Sequence, residues 1–203
     1  MDTQKYPGQH LLDGVDEHVE KGWKLIHPLD DINLIAGYAP MAYEILDKLD
    51  PDIVVVCCGG GSLLAGISAG LSLLGSQCVV YGVEPLTANT MSASFKEGHA
   101  IKLPTAKSIA SGLAPPMCGT LAYEHCKKYV KDILLVSDDE IKEACKIAFT
   151  SGLKAELSGC AALAAILFDK VPEIAQNSSD KKLKVVCILS GGNVSAAELA
   201  DLF

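Results

Sequence analysis

Asp52-Ile53-Val54-Val55-Val56-Cys57-Cys58-Gly59-Gly60-Gly61-Ser62 is the stretch that decides the fold. From Ile53 to Cys58 every side chain is apolar and the first four are β-branched, so the stretch reads as a strand with core on both faces. Three glycines interrupt it, and Ser62–Leu74 continues with helical spacing. A strand, a glycine turn and a helix in that order form the opening of a parallel α/β unit.

The same alternation extends in both directions. Met41, Ile45, Leu46 and Leu49 recur at helical intervals before the strand, and Cys78–Val83 reads as a second strand after it. A helix near Leu121–Val130 precedes a strand at Ile133–Val136. Ser137-Asp138-Asp139-Glu140 is a capping box that starts the next helix. Ala161–Phe168 reads as a buried helix and Leu183–Leu189 as another apolar strand. Residues 1–35 are polar and mixed, with helical spacing over Leu11–Val19 and a short apolar stretch at Trp23–Ile26. The expected fold class is therefore α/β, a parallel sheet with helices on both faces.

Composition narrows the function. The 203 residues suit one domain, with room for part of a second. A net charge of −8 argues against general affinity for nucleic acid or an anionic membrane. All 17 basic residues are lysine. With no guanidinium fork available, an anion must be held by backbone amides, hydroxyls or lysine. The eight cysteines form no Cys-x-x-Cys pair and mostly sit in apolar runs, which predicts small buried hydrophobes in a reducing cytosol. The five histidines are scattered and show no metal spacing; His27, before Pro28, reads as a packed or capping residue. A polar opening and the lack of a bilayer-length apolar run predict a cytoplasmic protein with no membrane partner.

Gly59-Gly60-Gly61-Ser62 sits where backbone amides can turn inward and a helix N-terminus adds a favourable dipole, an arrangement suited to a phosphate monoester. Walker A is excluded because no lysine follows, and the dinucleotide fingerprint fails at Leu64. A tight turn without ligand explains this loop alone equally well. A second loop, Ser190-Gly191-Gly192-Asn193, also follows an apolar strand, and ligands of parallel sheets collect at that strand end. The two loops together describe a pocket.

The order HPLDDINLIAG, VVVCCGGGSLLAGIS, VYGVEP, SIASG, ILLVSDDEI, AELSGCAALAA and CILSGGNV resembles the serine/threonine dehydratase (ammonia-lyase) and serine racemase branch of the fold-type II pyridoxal-phosphate enzymes. The resemblance runs from about residue 20 to 195. It implies a tryptophan synthase β-like fold, with residues 1–37 a remnant of the small domain and 38–203 the C-terminal part of the large cofactor-binding domain. It implies that Gly59, Gly60, Gly61, Ser62 and Leu63 hold the cofactor phosphate through their amides. Ser190 would hydrogen-bond the pyridine nitrogen, Gly112 would contact the cofactor through its backbone, and Glu156 would place a carboxylate near the ring. Glu84 and the carbonyl of Ala88 would ligate a structural divalent cation, with Thr90 where the third ligand is usually an aspartate. The implied reaction is β-elimination of L-serine or L-threonine to ammonia and a 2-oxo acid, with serine racemisation as the alternative.

The family holds pyridoxal 5′-phosphate on a lysine that lies N-terminal to everything matched. Ser94-Phe95-Lys96-Glu97-Gly98 imitates that lysine motif, but it follows the VEP segment and lacks the arginine, so Lys96 reads as a solvated helix-end residue. Gly37-Tyr38-Ala39-Pro40 stands in place of Gly-Gln-Gly-Thr, Ala110-Ser111-Gly112 in place of Ala-Asp-Gly, Glu156-Leu157 in place of Glu-Pro, and Ser62 in place of the fourth loop glycine. The expectation is a gene fragment, truncated isoform or decayed paralogue, inactive alone. Its partners would be copies of itself or an intact relative, its family substrate a small amino acid, and its other possible role non-catalytic binding.

Overall fold

The computed structural model describes residues 15–176 and 182–195, together with Ala197 and Ala200. Of the helical spacing expected over Leu11–Val19, the part before Val15 lies outside the described residues; from there the chain forms α1, Val15–Glu20. Two helices follow, α2 at Ile32–Tyr38 and α3 at Pro40–Lys48. The decisive stretch forms β1, Ile53–Cys57, and α4, Ser62–Leu73. After them come β2 at Val79–Pro85, α5 at Thr90–Glu97, a 3-10 turn at Ser111–Leu113, and α6 at Thr120–Tyr129. The described chain closes with β3 at Asp132–Val136, α7 at Asp138–Thr150, α8 at Leu157–Leu167, α9 at Pro172–Ala175 and β4 at Val185–Cys187.

The four strands form one sheet in the order β3-β2-β1-β4, all parallel. Because side chains alternate across a strand, β1 feeds two cores at once. Ile53, Val55 and Cys57 join the α7–α8 side with Ala161, Ala165 and Ile141. Val54, Val56 and Cys58 join the side of α2, α3, α4 and α6 with Ile35, Leu64 and Ala122. The continuous apolar run is thus explained by two covered faces.

Local chemistry sets the helix ends. Ser137 Oγ accepts from the Glu140 amide at 3.2 Å while Glu140 Oε2 accepts from the Ser137 amide at 2.7 Å, closing the expected capping box on α7. Asp31 caps α2 by accepting from the Asn33 amide at 2.8 Å. Gly66 and Gly70 put a bare strip on α4 where the corner between α2 and α3 crosses it. A Cβ at Gly70 would stand 2.8 Å from the Ala39 carbonyl oxygen and from Ala42 Cβ. Six of the eight cysteines are buried and all are free thiols. No helix among the described residues is long and apolar enough to cross a membrane.

Candidate functional site

β1 and β4 are neighbours, so the loops at their C-terminal ends face one another. A cavity of about 310 Å³ opens between them, bordered by Gly59, Gly60, Gly61, Ser62 and Leu63 on one side and Ser190 and Gly191 on the other. Gly112 and Glu156 complete it, so every residue expected to surround the cofactor lines one space.

The glycine loop has the shape of an anion cradle. Gly61 is left-handed, φ 101°, and stands as the N-cap of α4 with no side chain capping that end. The first bond of the helix runs from the Ala65 amide to the Gly61 carbonyl at 2.8 Å, so the amides before Ala65 lie outside the helical ladder and collect the positive end of the dipole. Side chains are excluded by neighbours. A Cβ at Gly59 would stand 2.7 Å from the Gly112 carbonyl oxygen, one at Gly60 would meet Leu29 Cβ at 2.9 Å, and one at Gly61 would meet Met91 Cε at 2.5 Å. Ser62 Oγ is buried, and it is the single buried side-chain oxygen or nitrogen among the described residues without a hydrogen-bond partner.

The far wall is tied together by backbone contacts. The Glu156 amide donates to the Gly191 carbonyl at 3.2 Å, and Gly191 is left-handed, φ 87°, under the Glu156 carboxylate. Ser158 Oγ accepts from the Gly112 amide at 3.0 Å, which fixes the 3-10 turn against α8. Behind the cavity Cys57 Sγ accepts from the Ala162 amide at 3.3 Å, and burial pushes its thiol up to about 11, so it is no nucleophile.

Several lining residues carried no sequence signal. Leu29 and Pro28 reach the cavity because the segment before α2 docks across both the glycine loop and α6. Asp30 Oδ1 accepts from the Leu121 amide at 2.8 Å in the first turn of α6, and a Cβ at Gly119 would overlap the Leu29 carbonyl. His27 serves as the local cap expected of it, its Nδ1 accepting from the Leu29 amide at 3.2 Å. Ser158 lines the space as well, without warning from composition, and so does Tyr38, from the Gly37-Tyr38-Ala39-Pro40 segment already singled out as a departure from the family motif.

Glu84 and Ala88 lie away from this cavity. Glu84 is fully buried, and its two oxygens accept from the amides of Met91 at 2.7 Å and Ser92 at 2.8 Å. Burial pushes its carboxyl up to about 8, against the downward pull of those two amides. Thr90 Oγ1 donates to the Pro115 carbonyl at 3.1 Å. In this structure Glu84 anchors the first turn of α5, and the described residues contain no cluster of three or more His, Cys, Asp or Glu able to hold a metal. Lys96 is exposed on α5 and does not line the cavity.

A parallel α/β sheet thus carries two glycine loops over one cavity at the C-terminal ends of its strands. Residues 8–191 match the family described as pyridoxal-phosphate dependent enzyme, and the chain belongs to that family. It is 36% identical to catabolic L-threonine dehydratase of Escherichia coli K12 over 192 residues, which are 93% of this chain and 56% of that protein. It is 34% identical to phenylserine dehydratase of Ralstonia pickettii, covering 95% of this chain and 58% of the relative. Serine racemase of Schizosaccharomyces pombe is 33% identical, with 98% and 63% covered. Among solved structures, the processed form of threonine deaminase isoform 2 from Solanum lycopersicum superposes with a TM-score of 0.82 at 29% identity, covering 93% of this chain and 54% of that one. The fold is that of the fold-type II pyridoxal-phosphate enzymes, and the chain spans somewhat over half the length of the relatives it matches.

The cavity fits such a group. The bare amides suit a phosphate, and the orphaned Ser62 hydroxyl is a polar atom in want of a partner at the same place.

Proposed function

We propose that this chain binds pyridoxal 5′-phosphate, with the phosphate on the amides of Gly59, Gly60, Gly61, Ser62 and Leu63. Ser190 donates to the pyridine nitrogen, Gly112 contacts the ring through its backbone, and Glu156 stands beside it. The observation that carries this reading is the convergence of both glycine loops on one cavity. The bound cofactor supplies an electron sink for breaking a bond at the α-carbon of an amino acid.

The family reaction, elimination of ammonia from L-serine or L-threonine, is the activity proposed for the protein of which this chain forms part. By itself the chain binds and does not catalyse. Among the described residues no lysine lines the cavity, so none of them places an amine to hold the cofactor covalently or to move the α-proton. Cys57 does not substitute, because its raised pKa keeps it a thiol. We assign residues up to 37 to the small domain and the remainder to the large one; that boundary falls one residue before the end of α2.

The test is an absorbance titration with pyridoxal phosphate, then borohydride reduction, peptide mass mapping and a 2-oxo acid assay with L-serine and L-threonine. Saturable binding with neither a single-lysine adduct nor 2-oxo acid is expected. A unique lysine adduct with turnover refutes the non-catalytic reading, and a complete lack of binding refutes the cradle.

A further inference from the structure

Serines inside these helices satisfy their hydroxyls on the turn below: Ser94 Oγ donates to the Thr90 carbonyl at 2.8 Å and Ser68 Oγ to the Ala65 carbonyl at 3.2 Å. Ser62 makes no such bond. It is the first residue of α4, preceded by the glycine loop, and none of the carbonyls there takes its hydroxyl proton. The residue is 6% exposed, its Oγ has no partner, and it borders the cavity. A buried hydroxyl without a partner is destabilising, and it persists where a ligand satisfies it.

We infer that the Ser62 hydroxyl is a side-chain donor to a doubly charged phosphate monoester, added to the amides of the cradle, and that it makes the site selective for phosphorylated ligands in the absence of any covalent bond. The inference rests on the phosphate-cradle reading above. Its physical logic is the composition of the chain: with no arginine in the sequence and no lysine among the described residues that line the cavity, each additional neutral donor carries a larger share of the anion's binding. The hydroxyl works at the α4 N-terminus, where helix dipole and donor act on the same oxygens.

Pyridoxine 5′-phosphate is a suitable probe because it lacks an aldehyde and forms no bond to lysine; inorganic phosphate and unphosphorylated pyridoxine serve as comparators. Binding is measured by calorimetry, and melting is recorded with and without ligand, for the natural chain and for Ser62→Ala. The natural chain should bind pyridoxine 5′-phosphate and phosphate but not pyridoxine. Ser62→Ala should weaken pyridoxine 5′-phosphate by roughly tenfold to hundredfold. The same substitution should raise the melting temperature of the ligand-free chain by roughly a few degrees, because it removes an unsatisfied buried group. Opposite signs on one substitution separate ligand binding from damage to the fold. Equal affinity of the two proteins overturns the role of the hydroxyl and leaves the cradle standing. Weaker binding together with a lower ligand-free melting temperature also overturns it, because the hydroxyl is then structural. Failure of the natural chain to bind either phosphate compound overturns the cradle itself.

Discussion

The docking of residues 28–30 against α6 should behave as a single energetic unit. Asp30 Oδ1 holds the Leu121 amide at 2.8 Å in the first turn of α6, where a carboxylate also meets the positive end of the helix dipole. Asp30→Ala removes that cap and should cost about 1–2 kcal/mol. Gly119 has φ −69° and ψ 143°, which alanine adopts freely, so Gly119→Ala carries no backbone strain. Its Cβ would nonetheless overlap the Leu29 carbonyl oxygen and stand 2.8 Å from Asp30 Oδ1. Ordinary carbon–oxygen contacts are about 3.3 Å or longer, so relieving the overlap with the Leu29 carbonyl requires the segment to retreat by roughly 1 Å or more. Starting from 2.8 Å, that retreat stretches the Asp30–Leu121 bond beyond useful hydrogen-bond length. Overpacking of this kind costs about 1–3 kcal/mol. Since each change destroys the contact the other depends on, the double variant should fall short of the sum by about 1 kcal/mol or more. Urea unfolding of the four proteins measures this, with melting shifts of roughly 2–4 °C per kcal/mol in a chain of this size. Additivity within about 0.5 kcal/mol would refute the idea that Asp30, Leu29 and Gly119 form one joint.

Other expectations follow from single features. Gly37 lies in α2 with open space around its missing Cβ, so Gly37→Ala should stabilise by about 0.5–1 kcal/mol in the same unfolding assay; a loss would show that α2 is packed differently. Partial burial raises the Glu140 pKa, but the Lys170 ammonium at 2.7 Å and the Ser137 amide outweigh it, leaving the carboxyl below its ordinary value. A depressed carboxyl pKa contributes stability above the unfolded value near ~4.3 that is lost as pH falls through the folded one. Glu140→Gln should therefore cost about 1 kcal/mol at neutral pH, with the difference shrinking towards pH ~3. A constant difference across that range would assign the effect to packing. In thiol titration of the native chain, Cys78 and Cys187, both half-buried, should react ahead of the six buried cysteines, which should appear only on unfolding. Early labelling of Cys57 or Cys126 would contradict their burial.

How much could be read from sequence depended on the range of the interaction. β1, the Ser137–Glu140 box and both glycine loops are written in consecutive residues, and each was legible. α5 was not read as a helix from its own residues, because its N-terminus is held by Glu84, a carboxylate on another element. The apolar run Leu183–Leu189 promised a longer strand than Val185–Cys187, since apolar composition continues past the residues that pair with β1. Leu29 as a cavity wall was invisible, because only the contact with Gly60, far along the chain, turns an ordinary leucine into a site residue. The orphaned hydroxyl of Ser62 was equally hidden: sequence shows that a hydroxyl is present, but not whether another group answers it.

The two jaws of the cavity are anchored unequally. The glycine loop extends from β1, which has β2 on one side, β4 on the other and a core on each face. The Ser190 loop extends from β4, a three-residue strand at the sheet edge whose side chains are only partly buried. Opening the first would require breaking the centre of the molecule, while opening the second breaks a short ladder to β1. A ligand in this cavity would thus be gripped at its anionic end and swing free at the other. Its residence time would be governed less by the cradle than by how often the edge strand frays.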